Sequence, residues 1–172
     1  MRLYRARIPL VAQAIIERLA NEGDIEVTLE NRPEAQKDLV AIMETFLQRD
    51  QDLRDAVKDT MSRRGIPYDQ YSKCRSEIAE SWGHPTGDSV QKFLSRQFVE
   101  AFMISRYIDE VYTDDDALYK KVLDTLKGFD VDEKALREEA QKMVKNAVEG
   151  TVDYEIAFAQ ALKDVKRRHG LI

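Results

Sequence analysis

The chain has 172 residues, 34% of them charged, and a formal net charge of −5. That length buries a core without metal or disulfide staples, and with only 7 glycines and 4 prolines the composition argues against an all-β fold or a disordered chain. The acidic balance disfavours general adhesion to nucleic acid or anionic lipid, and a single cysteine with two histidines excludes a disulfide framework and a Cys/His zinc site while fitting a reducing cytoplasm.

The opening Met1-Arg2-Leu3-Tyr4-Arg5-Ala6-Arg7 is basic, but Gln13, Glu17 and Arg18 interrupt the apolar stretch behind it, so neither a signal peptide nor a membrane span is expected. Pro9 suits a first helical turn, and Ile8, Val11, Ile15 and Leu19 recur at helical spacing up to Gly23. From Asp24 to Leu29, Ile25, Val27 and Leu29 alternate with polar neighbours at the period of a strand. With no second strand in sight, this stretch is expected to be an extended connector.

From Pro33 to about Arg64 nothing breaks a helix of roughly 48 Å. Leu39, Ile42, Met43, Phe46, Leu47, Leu53, Ala56, Val57 and Met61 give it a near-heptad stripe. Asp50 falls on that stripe, where a carboxylate must be paired or meet solvent, and solvent is the expectation. Pro67 opens a third helix carrying Tyr68, Tyr71, Ile78 and Trp82, and Gly83-His84-Pro85-Thr86-Gly87 ends it with the strongest break in the chain.

Ser89 to Tyr112 is the most apolar segment and reads as a central fourth helix. Thr113 with Asp116, and Asp130 with Glu133, have the form of capping boxes that open a fifth helix running to Lys127 and a sixth ending before Gly150. The sixth carries Leu136, Ala140, Met143, Val144 and Ala147. A seventh runs from about Tyr154 to His169 on Phe158, Ala161, Leu162 and Val165. The expected fold is all-α, a bundle of about seven helices, divisible into two helical lobes at 1–86 and 87–172 with a long connecting helix.

Ala56 to Ile66 recurs without a gap as Ala161 to Leu171, and Glu22 to Val27 echoes Glu149 to Tyr154. Two readings stand side by side. Either a helical unit is duplicated, or two helix ends share basic last turns followed by a stop glycine. The duplicated reading requires each glycine-ended helix to sit similarly against a preceding helix.

Arg2, Arg5 and Arg7 are the candidate partner- or phosphate-binding residues, because cations at a helix start oppose its dipole. Their bland alternative is surface ion pairing with the chain's own acidic helices. Asp114-Asp115-Asp116 has the oxygens a divalent cation prefers, but the placement matches helix capping better. Tyr68, Tyr71 and Trp82 near Lys73 and Arg75 could stack bases, though such residues more often edge a helical hairpin. Cys74 has basic neighbours that could lower its pKa, but the only histidine near it in sequence, His84, lies beyond a loop.

Phosphate loops, nucleophile elbows, zinc-peptidase helix pairs and paired-cysteine redox sites are missing from the sequence. No catalytic residue, metal site or cofactor is therefore assigned. The expectation is a non-enzymatic helical interaction or scaffold protein with a protein partner or self-association and no membrane. The alternative is a nucleic-acid-associated protein using Arg2, Arg5 and Arg7, joined in space by Arg63, Arg64 or the C-terminal basic turn.

Met1-Arg2-Leu3-Tyr4, Ile8-Pro9, Gly23-Asp24-Ile25-Glu26-Val27 and Arg64-Gly65-Ile66, in that order and spacing, resemble the bacterial family catalogued as domain of unknown function 507. The resemblance spans most of the chain, and the Gly-Asp-Ile-Glu-Val string is its most specific part. It implies a small, predominantly helical bacterial cytoplasmic protein and brings no catalytic residues with it. Thr28-Leu29 follows the string where more acidic residues would be expected.

Overall fold

Pro9 lies in the first turn of a helix, where its missing N–H is not needed, and four apolar side chains, one before it and three after, share one face. In the computed structural model, which describes residues 1–172, this segment is α1 (Ile8–Asn21), with Ile8, Val11, Ile15 and Leu19 all buried. Helix α2 (Arg32–Arg64) follows and is unbroken for 33 residues, about 50 Å of rise. Such a rod outruns any one packing partner, so its stripe serves two hydrophobic clusters in succession.

The inner half of α2 places Leu39, Met43 and Phe46 in the main core. That core is shared with α1, with Leu94, Phe98 and Phe102 of α4 (Ser89–Ile104), and with Leu118, Val122 and Leu126 of α5 (Asp115–Gly128). The outer half places Leu53, Val57 and Met61 against Cys74 and Ala79 of α3 (Tyr71–Ser81). Helices α6 (Glu133–Met143) and α7 (Val152–Arg168) form a hairpin around Leu136, Ala140, Ala161 and Val165, completed by Tyr4 and Leu171. The fold is thus all-α, with seven helices. The main core draws on Leu3 to Phe46 and on Val90 to Leu126, and so joins the segments 1–86 and 87–172.

Several elements differ from the sequence expectation, and the third helix starts at Tyr71 rather than Pro67, after a 3-10 turn at Tyr68–Gln70. The alternating segment after Gly23 does have a partner: Ile25–Glu26 (β1) pairs antiparallel with Glu110–Val111 (β2), Ile25 opposite Val111. That partner lies where the fourth helix was expected to continue to Tyr112. Helix α4 instead stops at Ile104, where Ser105 turns extended and its hydroxyl donates to the Asp38 carboxylate at 2.8 Å. Tyr107, Ile108 and Val111 still pack against the core from a non-helical chain, so apolar content overstated the helix.

The caps also shift, by one residue at α5 and by two at α6. Asp114 accepts from the Ala117 N–H and caps α5, while Thr113 donates to Asp24 at 2.7 Å. Asp132 caps α6 by accepting from the N–H groups of Lys134 and Ala135. That helix ends at Met143 rather than near Gly150, because Val144 turns extended and packs back on the hairpin cluster. Thr151 then caps α7.

The recurrent segments end alike. In each a left-handed glycine, Gly65 or Gly170, lets the next N–H reach back five residues, from Ile66 to the Met61 carbonyl at 3.0 Å and from Leu171 to the Lys166 carbonyl at 2.9 Å. Their packing is not alike: α2 ends against the helix that follows it, α7 against the one that precedes it. What recurs is a helix stop.

Candidate functional site

An extended chain sends successive side chains to opposite sides, and the segment before α1 uses this to join two parts of the molecule. Leu3 enters the main core and Tyr4 enters the α6–α7 cluster. The Tyr4 hydroxyl donates to Glu133, and burial together with that acceptor raises the phenol well above its ordinary pKa. Between this segment, α2, α3, the Pro85–Gly87 loop and the end of α7 lies an open cavity of about 860 Å³.

Its walls mix two chemistries. Leu3, Phe46, Leu47, Val90 and Leu171 supply apolar surface, and Arg2, Arg5, Arg54, Arg75 and Lys166 supply cations. Asp50 is the single carboxylate side chain among the lining residues. The groove therefore gathers five cationic side chains in a chain that is acidic overall, with Glu133 and Glu44 pairing Arg2 and Arg5 from outside its lining.

Asp50 is paired as well as partly open to solvent, with 19% of its side chain exposed on the cavity wall. Its oxygens lie 3.0 Å from Arg75 Nη2, 3.4 Å from Arg54 Nη2 and 3.3 Å from His84 Nε2. The His84 ring is buried, stacked on Phe46 with centroids 5.0 Å apart. Burial lowers its basicity, while the hydrogen bond and charge of Asp50 oppose that shift. Lys166 lies 5.5 Å from the Tyr4 ring centroid. Burial first, and the neighbouring Arg2 charge second, push its pKa below the usual lysine value, which marks a spot where positive charge is crowded.

The candidate arginines divide. Arg2 lies 3.8 Å from Glu133 and 5.3 Å from the Tyr4 ring, Arg5 lies 3.1 Å from Glu44, and both line the groove. Arg7 turns away, with its guanidinium 5.9 Å from the Phe129 ring. Arg75 and the basic turn that holds Lys166 are candidates in the sequence, but Arg54 is not, and the three come together from three separate helices. The available signal was Asp50 on an apolar stripe with an arginine one turn later.

The other candidates take structural places. Asp114 caps α5, with Asp115 and Asp116 in its first turn. Tyr68 and Tyr71 stack at 5.8 Å at the far end of the α2–α3 pair, and Trp82 accepts at its backbone carbonyl from Arg49. Cys74 is buried in the outer cluster. No His, Cys, Asp and Glu grouping of three or more could hold a metal ion, and no helix is long and apolar enough to cross a membrane.

The Gly-Asp-Ile-Glu-Val string has a structural explanation. Asp24 is buried and accepts from Lys121 Nζ and the Thr113 hydroxyl, each at 2.7 Å, while its carbonyl accepts from the Tyr112 N–H. Burial raises the carboxyl's pKa, but these two donors and the Lys121 charge outweigh it and hold the group below its usual range. The string thereby ties the end of α1 to β2 and α5.

Helices arranged around one core, with a hairpin hung on the extended N-terminal segment and a cationic groove at the joint, define a small all-helical protein built around a surface cleft. The chain matches the family described as "Protein of unknown function (DUF507)" over residues 1–171 and belongs to it. No curated protein matches the chain.

Proposed function

We propose that this is a non-enzymatic helical interaction protein that docks an acidic, apolar-bearing segment of a protein partner in the groove. One observation carries the reading: five cationic side chains and an apolar wall meet in one cavity holding a single side-chain carboxylate, in a chain of net charge −5. Charge complementarity steers such encounters and selects among partners, while half-buried Leu47, beside the edges of the buried Leu3 and Phe46, offers a small apolar contact. A bacterial cytoplasmic setting belongs to the same proposal.

A nucleic-acid ligand is the second reading, favoured by the meeting of Arg2 and Arg5 with Lys166 in one groove. It is the weaker, because a net charge of −5 opposes a polyphosphate chain beyond the groove. Fluorescence anisotropy separates the two. A labelled peptide of alternating glutamate and leucine is expected to bind saturably and to weaken with added salt, and a lysine–leucine peptide is expected not to bind. Failure of the acidic peptide, or tighter binding of a thymidine oligonucleotide, overturns the first reading.

A further inference from the structure

We infer that Arg54 is the anion-holding residue of the groove and that Asp50 is an internal carboxylate with which the partner's glutamate or aspartate side chain competes; this rests on the acidic-segment reading above. Two guanidinium groups and an imidazole converge on Asp50. Arg75 makes the better bond, Nη2 to Oδ1 at 3.0 Å, and His84 Nε2 lies 3.3 Å from the same oxygen. Arg54 is left with Oδ2 at 3.4 Å, and its Nε is buried without an acceptor.

A guanidinium presents five N–H groups in a planar fork that fits a carboxylate through two parallel bonds. Arg54 uses little of that capacity, although 39% of its side-chain surface is accessible. It stands one turn beyond Asp50 on α2, and Phe46 and Leu47 stand one turn before it, all on the cavity wall. An acidic side chain can therefore meet Arg54 while a neighbouring apolar side chain rests on half-buried Leu47, leaving Arg75 and His84 on Asp50.

The charge of Asp50 then opposes the incoming carboxylate at short range. Removing that charge while keeping a hydrogen-bond acceptor for Arg75 and His84 strengthens binding, which a merely structural role for Asp50 would not do. The test uses the full chain and the glutamate–leucine peptide. Asp50→Asn is expected to bind about threefold tighter than the parent, and Arg54→Gln roughly tenfold weaker, with thermal midpoints near the parent's. A folded Asp50→Asn variant that binds no tighter, or an Arg54→Gln variant that binds as the parent does, overturns the inference. If Asp50→Asn fails to fold, Arg54→Gln decides alone. A parent protein that ignores the peptide overturns the groove reading itself.

Discussion

Asp50 stands between Phe46 and Leu53 on the apolar stripe of α2, and α3 and the loop before α4 each bring it a partner. Its position was legible as an anomaly, but its pairing was not, because Arg75 and His84 lie 25 and 34 residues away and charge pairing leaves no periodic trace. His84 shows what this convergence does to a titrating group. Burial holds it below the ordinary value of 6.5, so the imidazole takes up a proton on unfolding at mildly acid pH. Its stabilising contribution is complete above about pH 6.5 and is lost as the pH falls below that value. The urea midpoint is expected to drop between about pH 7.5 and pH 5.5, and His84→Gln to remove part of that drop. A parent midpoint that is level over the interval contradicts this account of His84.

At the scale of elements, α2 was read from sequence to within a residue, Pro33 to Arg64 against Arg32–Arg64. No breaker interrupts its stripe, and Gly65 at φ 61° marks its end. The β1–β2 pair was missed because a two-residue strand finds its partner only in the folded chain, and Tyr107 to Val111 are apolar enough to imitate a helix. Since α2 serves two clusters, its halves carry different loads. Leu53 is fully buried but belongs to the small outer cluster with α3. Leu53→Ala is expected to cost about 2–5 kcal/mol, felt mainly as faster amide exchange in α3 and the outer turns of α2, with α1 and α4 protected as before. Equal acceleration in all four helices would contradict the division of α2.

For the whole molecule, the extended residues before α1 connect the main core to the α6–α7 hairpin, and the groove opens at that joint. Sequence pointed to Arg2 and Arg5 through their misfit with a helix dipole, and both line the groove, whereas Arg7 turned elsewhere. Arg54, and the meeting of Arg75 and Lys166 with it, were illegible because a cavity wall drawn from three helices has no spacing along the chain. The family match extends over residues 1–171 and so takes in every side chain of that wall through Leu171. The most direct measurement is an amide-shift titration of the isotope-labelled full chain with the glutamate–leucine peptide. The predicted shifts gather at Leu3 to Ala6, Asp50, Arg54, Arg75 and Lys166. Shifts gathered instead at the exposed apolar residues Ile104, Val148, Val152 and Ile156, or no shifts at all, would contradict the groove as the docking site.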